Sequence, residues 1–110
     1  MQIIKDACRF AAPAGDGPSD WVERLRTPDL SVGTYCIPAG GTDDQSPHTE
    51  DEVYVVAGGR AVLRADSGTA EVQTGSVVFV PAGERHTFTD ITEDLTLLVI
   101  FGPAYGSRAS

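Results

Sequence analysis

Long apolar runs are missing from this chain. The longest, Leu97 to Phe101, is far too short to cross a bilayer, and Met1 to Ala12 has no apolar core of the secretory kind. A membrane protein is therefore not expected, and the cytoplasm is the expected address. Basic residues are scarce too. Eight Lys and Arg stand against sixteen Asp and Glu, giving a formal charge of −8. The resulting field repels phosphate backbones and anionic membranes, so neither nucleic acid nor a membrane surface is an expected partner. With Cys8 and Cys36 as the only cysteines, a disulfide-stapled scaffold is excluded and two buried thiols are the expectation. Helical periodicity is also hard to find, because apolar residues either alternate or run together briefly between turn signals.

What the chain does have is glycine and proline, twelve and seven of them, scattered between short β-prone runs rather than gathered in a linker. The runs read as strands over Trp21 to Arg26, Leu30 to Ile37, Glu52 to Ala57, Arg60 to Ala65, Thr69 to Thr74, Ser76 to Val80, His86 to Asp90 and Leu95 to Phe101. Gly58-Gly59, Asp66-Ser67-Gly68 and Gly75 read as turns between successive hairpins. Short strands at this spacing imply an all-β sandwich or barrel, with the double-sheet jelly roll among the architectures that protect sheet edges at this size. The 110 residues suit a single domain over 1–110, with an N-terminal arm over 1–20 and a frayed tail over 104–110.

The chemistry concentrates in two segments. In the first, running from Gly40 to Gly59, His48 precedes Glu52 by four residues at the entrance to the run Val53-Tyr54-Val55-Val56. In the second, Gly75 opens an apolar strand, Pro81-Ala82-Gly83 bends the chain, and His86 starts the return. Two imidazoles and a carboxylate suit a non-haem iron or similar divalent metal with positions left open. Four residues of straight strand span roughly 13 Å, whereas donors on one ion sit about 2.0–2.2 Å from it. His48 and Glu52 therefore cannot share a straight strand, and a turn through Thr49-Glu50-Asp51 is expected, with His48 closing one strand and Glu52 opening the next. Tyr54 faces the same side as Glu52 and is a candidate to hydrogen-bond a substrate or to fill the interior. Glu50 is a candidate extra donor, or a solvated member of an acidic turn. Cys36, Phe88, Leu97, Val99 and Phe101 are candidates for the cavity wall.

These segments resemble the two motifs of the cupin superfamily, G-x5-H-x-H-x3,4-E-x6-G and G-x5-P-x-G-x2-H-x3-N. The matching positions are Gly40, Ser46, His48, Glu52 and Gly59, then Gly75, Pro81, Gly83, His86 and Asp90. Ser46 stands where the family has its first histidine, and Asp90 where it has asparagine. The resemblance, which covers about half the chain directly, implies a small single-domain cupin with a double-stranded β-helix, or jelly-roll, barrel. By the same resemblance the usual four protein ligands fall to three, His48, Glu52 and His86, with Ser46 left as a pocket residue or a holder of metal-bound water.

The function expected on this basis is a small metal-dependent enzyme acting on a chelating metabolite. Iron(II) is the leading metal, with manganese, nickel or zinc as alternatives, and Tyr54 and Glu50 are the candidate catalytic side chains. Dioxygenase-type oxidation is the favoured reaction, and metal-assisted isomerisation or lyase chemistry the second. The alternative is a non-catalytic small-molecule-binding module or sensor whose metal is incidental or lost. The resemblance also implies a homodimer, with Trp21 to Leu25 as a candidate contact.

Overall fold

In the computed structural model, which describes residues 1–43 and 47–108, the chain is all β, with no helix among the described residues. Six strands follow in order: β1 (Asp20–Arg26), β2 (Ser31–Ile37), β3 (Asp51–Ala65), β4 (Gly68–Gln73), β5 (Val77–Val80) and β6 (His86–Gly102). Every pairing is antiparallel. The expected short strands are present in place but two pairs of them are fused. Glu52–Ala57 and Arg60–Ala65 are one strand of 15 residues, and His86–Asp90 and Leu95–Phe101 belong to one of 17.

Gly58-Gly59 is thus a bulge and not a hairpin turn. β3 and β6 pair along their whole length, with register shifts between Val56 and Val62. Such shifts bend a ribbon without breaking its ladder. Gly59 shows why glycine is needed at the bend: its φ is +97°, and a Cβ there would lie 2.3 Å from the Asp94 carbonyl oxygen. On one side of the bend the order is β1-β2-β6-β3-β5; on the other it is β6-β3-β4. One bent ribbon therefore runs through both halves of the jelly roll.

The inward positions of both halves form one core that includes Tyr54, Val56, Leu63, Phe88, Leu95 and Leu97. Each large apolar side chain buried there contributes about 1.5–3 kcal/mol of transfer free energy. Alternate residues of β2, Thr34 and Cys36, point the other way and are covered by the N-terminal arm. Thr34 Oγ1 donates to the Ala7 carbonyl at 2.6 Å, and the Ala11 N–H reaches Cys36 Sγ at 3.4 Å. Cys36 is buried and Cys8 exposed, both as free thiols, so the expectation of two buried thiols holds for Cys36 alone. No helix is long and apolar enough to cross a membrane among the described residues.

The C-terminal segment is not frayed as far as it is described. Ala104 is buried, the Tyr105 N–H donates to Ser31 Oγ at 2.8 Å, and the Arg26 guanidinium donates to the Tyr105 carbonyl at 2.8 Å. Ala109 and Ser110 lie outside the described residues.

Candidate metal centre

Glu52 and His86 come from opposite ends of the bent ribbon, since Glu52 pairs with Phe101 and His86 with Ala65. The bend brings them face to face, with Glu52 Oε1 3.0 Å from His86 Nε2. His48 arrives separately. It stands in the loop between β2 and β3 and closes no strand, which corrects the sequence expectation. Its carbonyl accepts the Gly83 N–H at 2.8 Å, and the Asp51 carboxylate accepts the Ala82 N–H at 3.0 Å. The two motifs are thereby tied to each other directly, and His48 Nε2 stands 3.8 Å from Glu52 Oε1.

His48, Glu52 and His86 each offer one donor atom, all within 4.8 Å of one another. Two donors about 2.2 Å from one ion can be up to about 4.4 Å apart, so the 3.0 and 3.8 Å separations suit a shared cation. Glu52 is 2% exposed, and its Oε1 has no hydrogen-bond partner among the described residues. A buried carboxylate oxygen left in that state costs free energy until a cation reaches it.

The His86 ring is oriented for this. Its Nδ1 is 2.8 Å from the Glu84 carbonyl, which can only accept, so Nδ1 carries a proton, and in the neutral form of the ring the Nε2 lone pair faces Glu52. Holding the distal nitrogen in this way is how ligand imidazoles are generally fixed. Tyr54 OH lies 3.0 Å from the same Nε2. Burial alone would lower the His86 pKa, but Glu52, the Glu84 carbonyl and Asp43 outweigh it and the net shift is upward. A proton is thus one cation the pair attracts, and a metal ion is the other. The His48 pKa is lowered, chiefly by burial and also by His86, against the opposing pull of Glu52. A lowered value keeps that ring neutral, as a metal ligand must be.

Other candidates fall elsewhere. Glu50 neither joins the donor group nor sits in solvent. It is 2% exposed, and its carboxylate accepts the N–H groups of Gly106 at 2.8 Å and Arg108 at 3.0 Å, together with the Thr49 hydroxyl. Burial raises its pKa, but these hydrogen bonds prevail and hold it below the usual carboxylate value. Tyr54 is fully buried in the core against Phe88 and touches His86 rather than the open cavity. Ser46 lies outside the described residues. Asp90 has a positive φ of 49° and pairs with Arg64 on the outside at 3.3 Å.

A cavity of about 250 Å³ opens beside His48 and Glu52, its walls including Trp21, Tyr35, Val99, Phe101 and Tyr105; His86 lies behind Glu52, buried. Val99 and Phe101 line it as expected; Leu97 and Phe88 pack elsewhere in the core, and Cys36 lies on the other face under the N-terminal arm. Trp21 turns its ring toward this cavity, packing edge-on against Tyr35 and Phe101. The sequence reading missed Trp21, Tyr35 and Tyr105 as wall residues. It also missed Asp43, whose carboxylate accepts from Tyr35 OH at 2.7 Å and from the Phe88 N–H at 2.9 Å. No local pattern marks these residues: Trp21, Tyr35 and Tyr105 reach the cavity from different strands and segments, and Asp43 acts through Tyr35.

Residues 33–101 match the model of the cupin domain. The chain belongs to the cupin family. This cupin is also 49% identical over 90 residues to an uncharacterized protein of Streptomyces coelicolor, covering 82% of this chain and 84% of that one. Among solved structures it is similar to the TT1209 protein of Thermus thermophilus, with a TM-score of 0.77 and 24% identity over 92% of this chain and 97% of that one. It is likewise similar to a Thermotoga maritima protein described as a predicted oxalate decarboxylase, with a TM-score of 0.68 and 20% identity over 82% and 84% of the two chains. At these identities the solved structures speak to the fold.

Proposed function

We propose that this cupin is a mononuclear metal enzyme acting on a small chelating metabolite, with His48, Glu52 and His86 as its ligands. Dioxygenase-type oxidation is the leading reaction, and metal-assisted isomerisation or lyase chemistry the second. The observation that carries the reading is Glu52 Oε1, buried without a hydrogen-bond partner among the described residues while two imidazole nitrogens stand 3.0 and 3.8 Å from it. The donor set fits iron(II) best, with manganese, nickel or zinc as alternatives. A bound ion of this kind supplies a Lewis acid with open positions for a substrate and a co-reactant.

The protein's own part is positioning. Glu84 fixes the His86 ring through its carbonyl, the Gly83 N–H fixes the backbone of His48, and Val99, Phe101 and the aromatic rings form a largely apolar wall beside the donors. In this reading Tyr54 serves as a positioning residue for His86 and Glu50 takes no part in the chemistry.

The deciding experiment is the metal content of protein purified without chelators or a nickel resin. Near-stoichiometric metal, lost in His48→Ala and His86→Ala, supports the enzyme, and dioxygen uptake with candidate diols or thiols then separates oxidation from isomerisation. One observation favours a second reading, a non-catalytic binding module: Tyr54 OH already reaches His86 Nε2 at 3.0 Å, so the ring has a partner without metal. Metal-free protein that binds small ligands unaltered selects that reading.

A further inference from the structure

Two large aromatic side chains at the cavity, Trp21 and Tyr105, remain 41% and 40% exposed although the structure holds both firmly. Trp21 lies flat on β2 over Gly33, where a Cβ would come within 2.2 Å of the indole ring. Any side chain at position 33 would push the indole off the strand. Tyr105 belongs to the short C-terminal segment whose amides at 106 and 108 are held by the buried Glu50 carboxylate. Its own N–H and carbonyl are taken by Ser31 and Arg26. The two rings stand 6.2 Å apart at an interplanar angle of 39°, with Phe101 edge-on to both.

A wall of fixed, partly exposed aromatic rings offers faces and edges to another ring. The volume of about 250 Å³ lies below the usual range for drug-sized ligands, which suits an occupant of about one ring with small substituents. No Lys or Arg lines the cavity among the described residues. An anionic head group would therefore find no protein cation there, and its charge would fall to an ion at His48, Glu52 and His86.

We propose that this cavity is a ring-recognition site. It takes a planar single-ring compound with two adjacent oxygen donors, the ring packed against Trp21 and Tyr105 and the oxygens directed at the three donor residues. Glu50 is a positioning residue that acts through Tyr105. The orientation of the oxygens rests on the metal reading above; the ring contact does not.

Trp21 is the single tryptophan of the chain, so its fluorescence reports directly on the wall. Catechol, a ring with adjacent oxygens, and acetohydroxamate, a chelator without a ring, are titrated into manganese-loaded and metal-free protein by calorimetry and by Trp21 emission. Trp21→Leu, Tyr105→Leu and Glu50→Gln are expected to weaken catechol about tenfold, within the range of aromatic contacts, and acetohydroxamate less than twofold, with metal stoichiometry unchanged. A merely structural effect of Glu50 would weaken both chelators alike. Equal loss of both, or catechol binding indifferent to all three variants, overturns the proposal. If wild-type protein takes up no metal, the metal reading fails by itself. Saturable quenching of Trp21 by catechol in that protein, lost in Tyr105→Leu, still supports the ring site, and absence of quenching overturns it.

Discussion

Glu50 and Glu52 are two residues apart and equally buried, yet they end in opposite situations. At the cavity floor Glu52 keeps an oxygen with no hydrogen-bond donor among the described residues. At the tail latch beside it, Glu50 has backbone donors from Gly106 and Arg108 and a side-chain donor from Thr49. Burying a carboxylate costs several kcal/mol unless partners replace its water. The latch has its partners within the chain and so contributes to stability. The floor lacks them, and what it gains in exchange is a place for a cation. The same residue type thus serves fold in one place and function in the other, decided by which donors reach it.

The largest expected effect separates the two regions outright. Glu52→Gln should lower metal affinity by more than about 100-fold, beyond the 10–100-fold typical for groups that only support a ligand, while metal-free stability stays within about 1 kcal/mol, as for substitutions that leave packing intact. Metal analysis and thermal melting on the same preparations check both halves. A variant that kept its metal would remove the floor from the comparison.

Next comes the bend that brings the floor together. Gly59→Ala places a Cβ against the Asp94 carbonyl at a positive φ, and should cost about 3 kcal/mol or more from strain and clash combined. For a domain of this size that is a fall in Tm of more than about 10 °C, read by calorimetry.

A smaller effect is expected at the latch. Glu50→Gln puts an amide NH2 where one oxygen accepted an N–H, and should cost about 1–3 kcal/mol at neutral pH with metal content unchanged. The pH dependence has a definite sign. Because the folded Glu50 pKa lies below its usual value of 4.5, its stabilising effect is complete above that value and is lost as pH falls through the folded pKa. Urea melts of the two proteins should therefore differ most near neutrality and converge in acid.

The smallest effect belongs to the outer surface. The Arg60–Glu93 and Arg64–Asp90 pairs are more than half exposed, and exposed pairs of this kind contribute about 0–1 kcal/mol. Arg64→Ala should change stability by less than about 0.5 kcal/mol, within the usual range for surface substitutions. A large loss there would show that charge outside matters as much as charge inside, and would undo the lesson drawn from Glu50 and Glu52.

The strand segments and the two motif histidines were legible because they depend on near neighbours. Alternating apolar residues, β-branched runs and Gly or Pro stops report the local backbone, and β1, β2, β4 and β5 fall within a residue or so of where those signals put them. The same signals misled at Gly58-Gly59, where glycine marks a bulge. Whether a glycine pair turns a hairpin or bends a long ribbon depends on what lies opposite, here Asp94 and Leu95. Glu50 was read as solvated or as a donor because nothing near it in the chain announces that residues 106 and 108 will hold it.

By itself, then, the sequence determined an acidic, all-β cupin chain and the kinds of donor atoms it can offer. The tertiary structure alone decided that Glu52 meets His86 across the bent ribbon and that Trp21 and Tyr105 converge from near the two chain ends on one cavity. Backbone preference acts over a few residues, whereas closure of a barrel is fixed by hydrogen-bond register and packing between segments far apart in order.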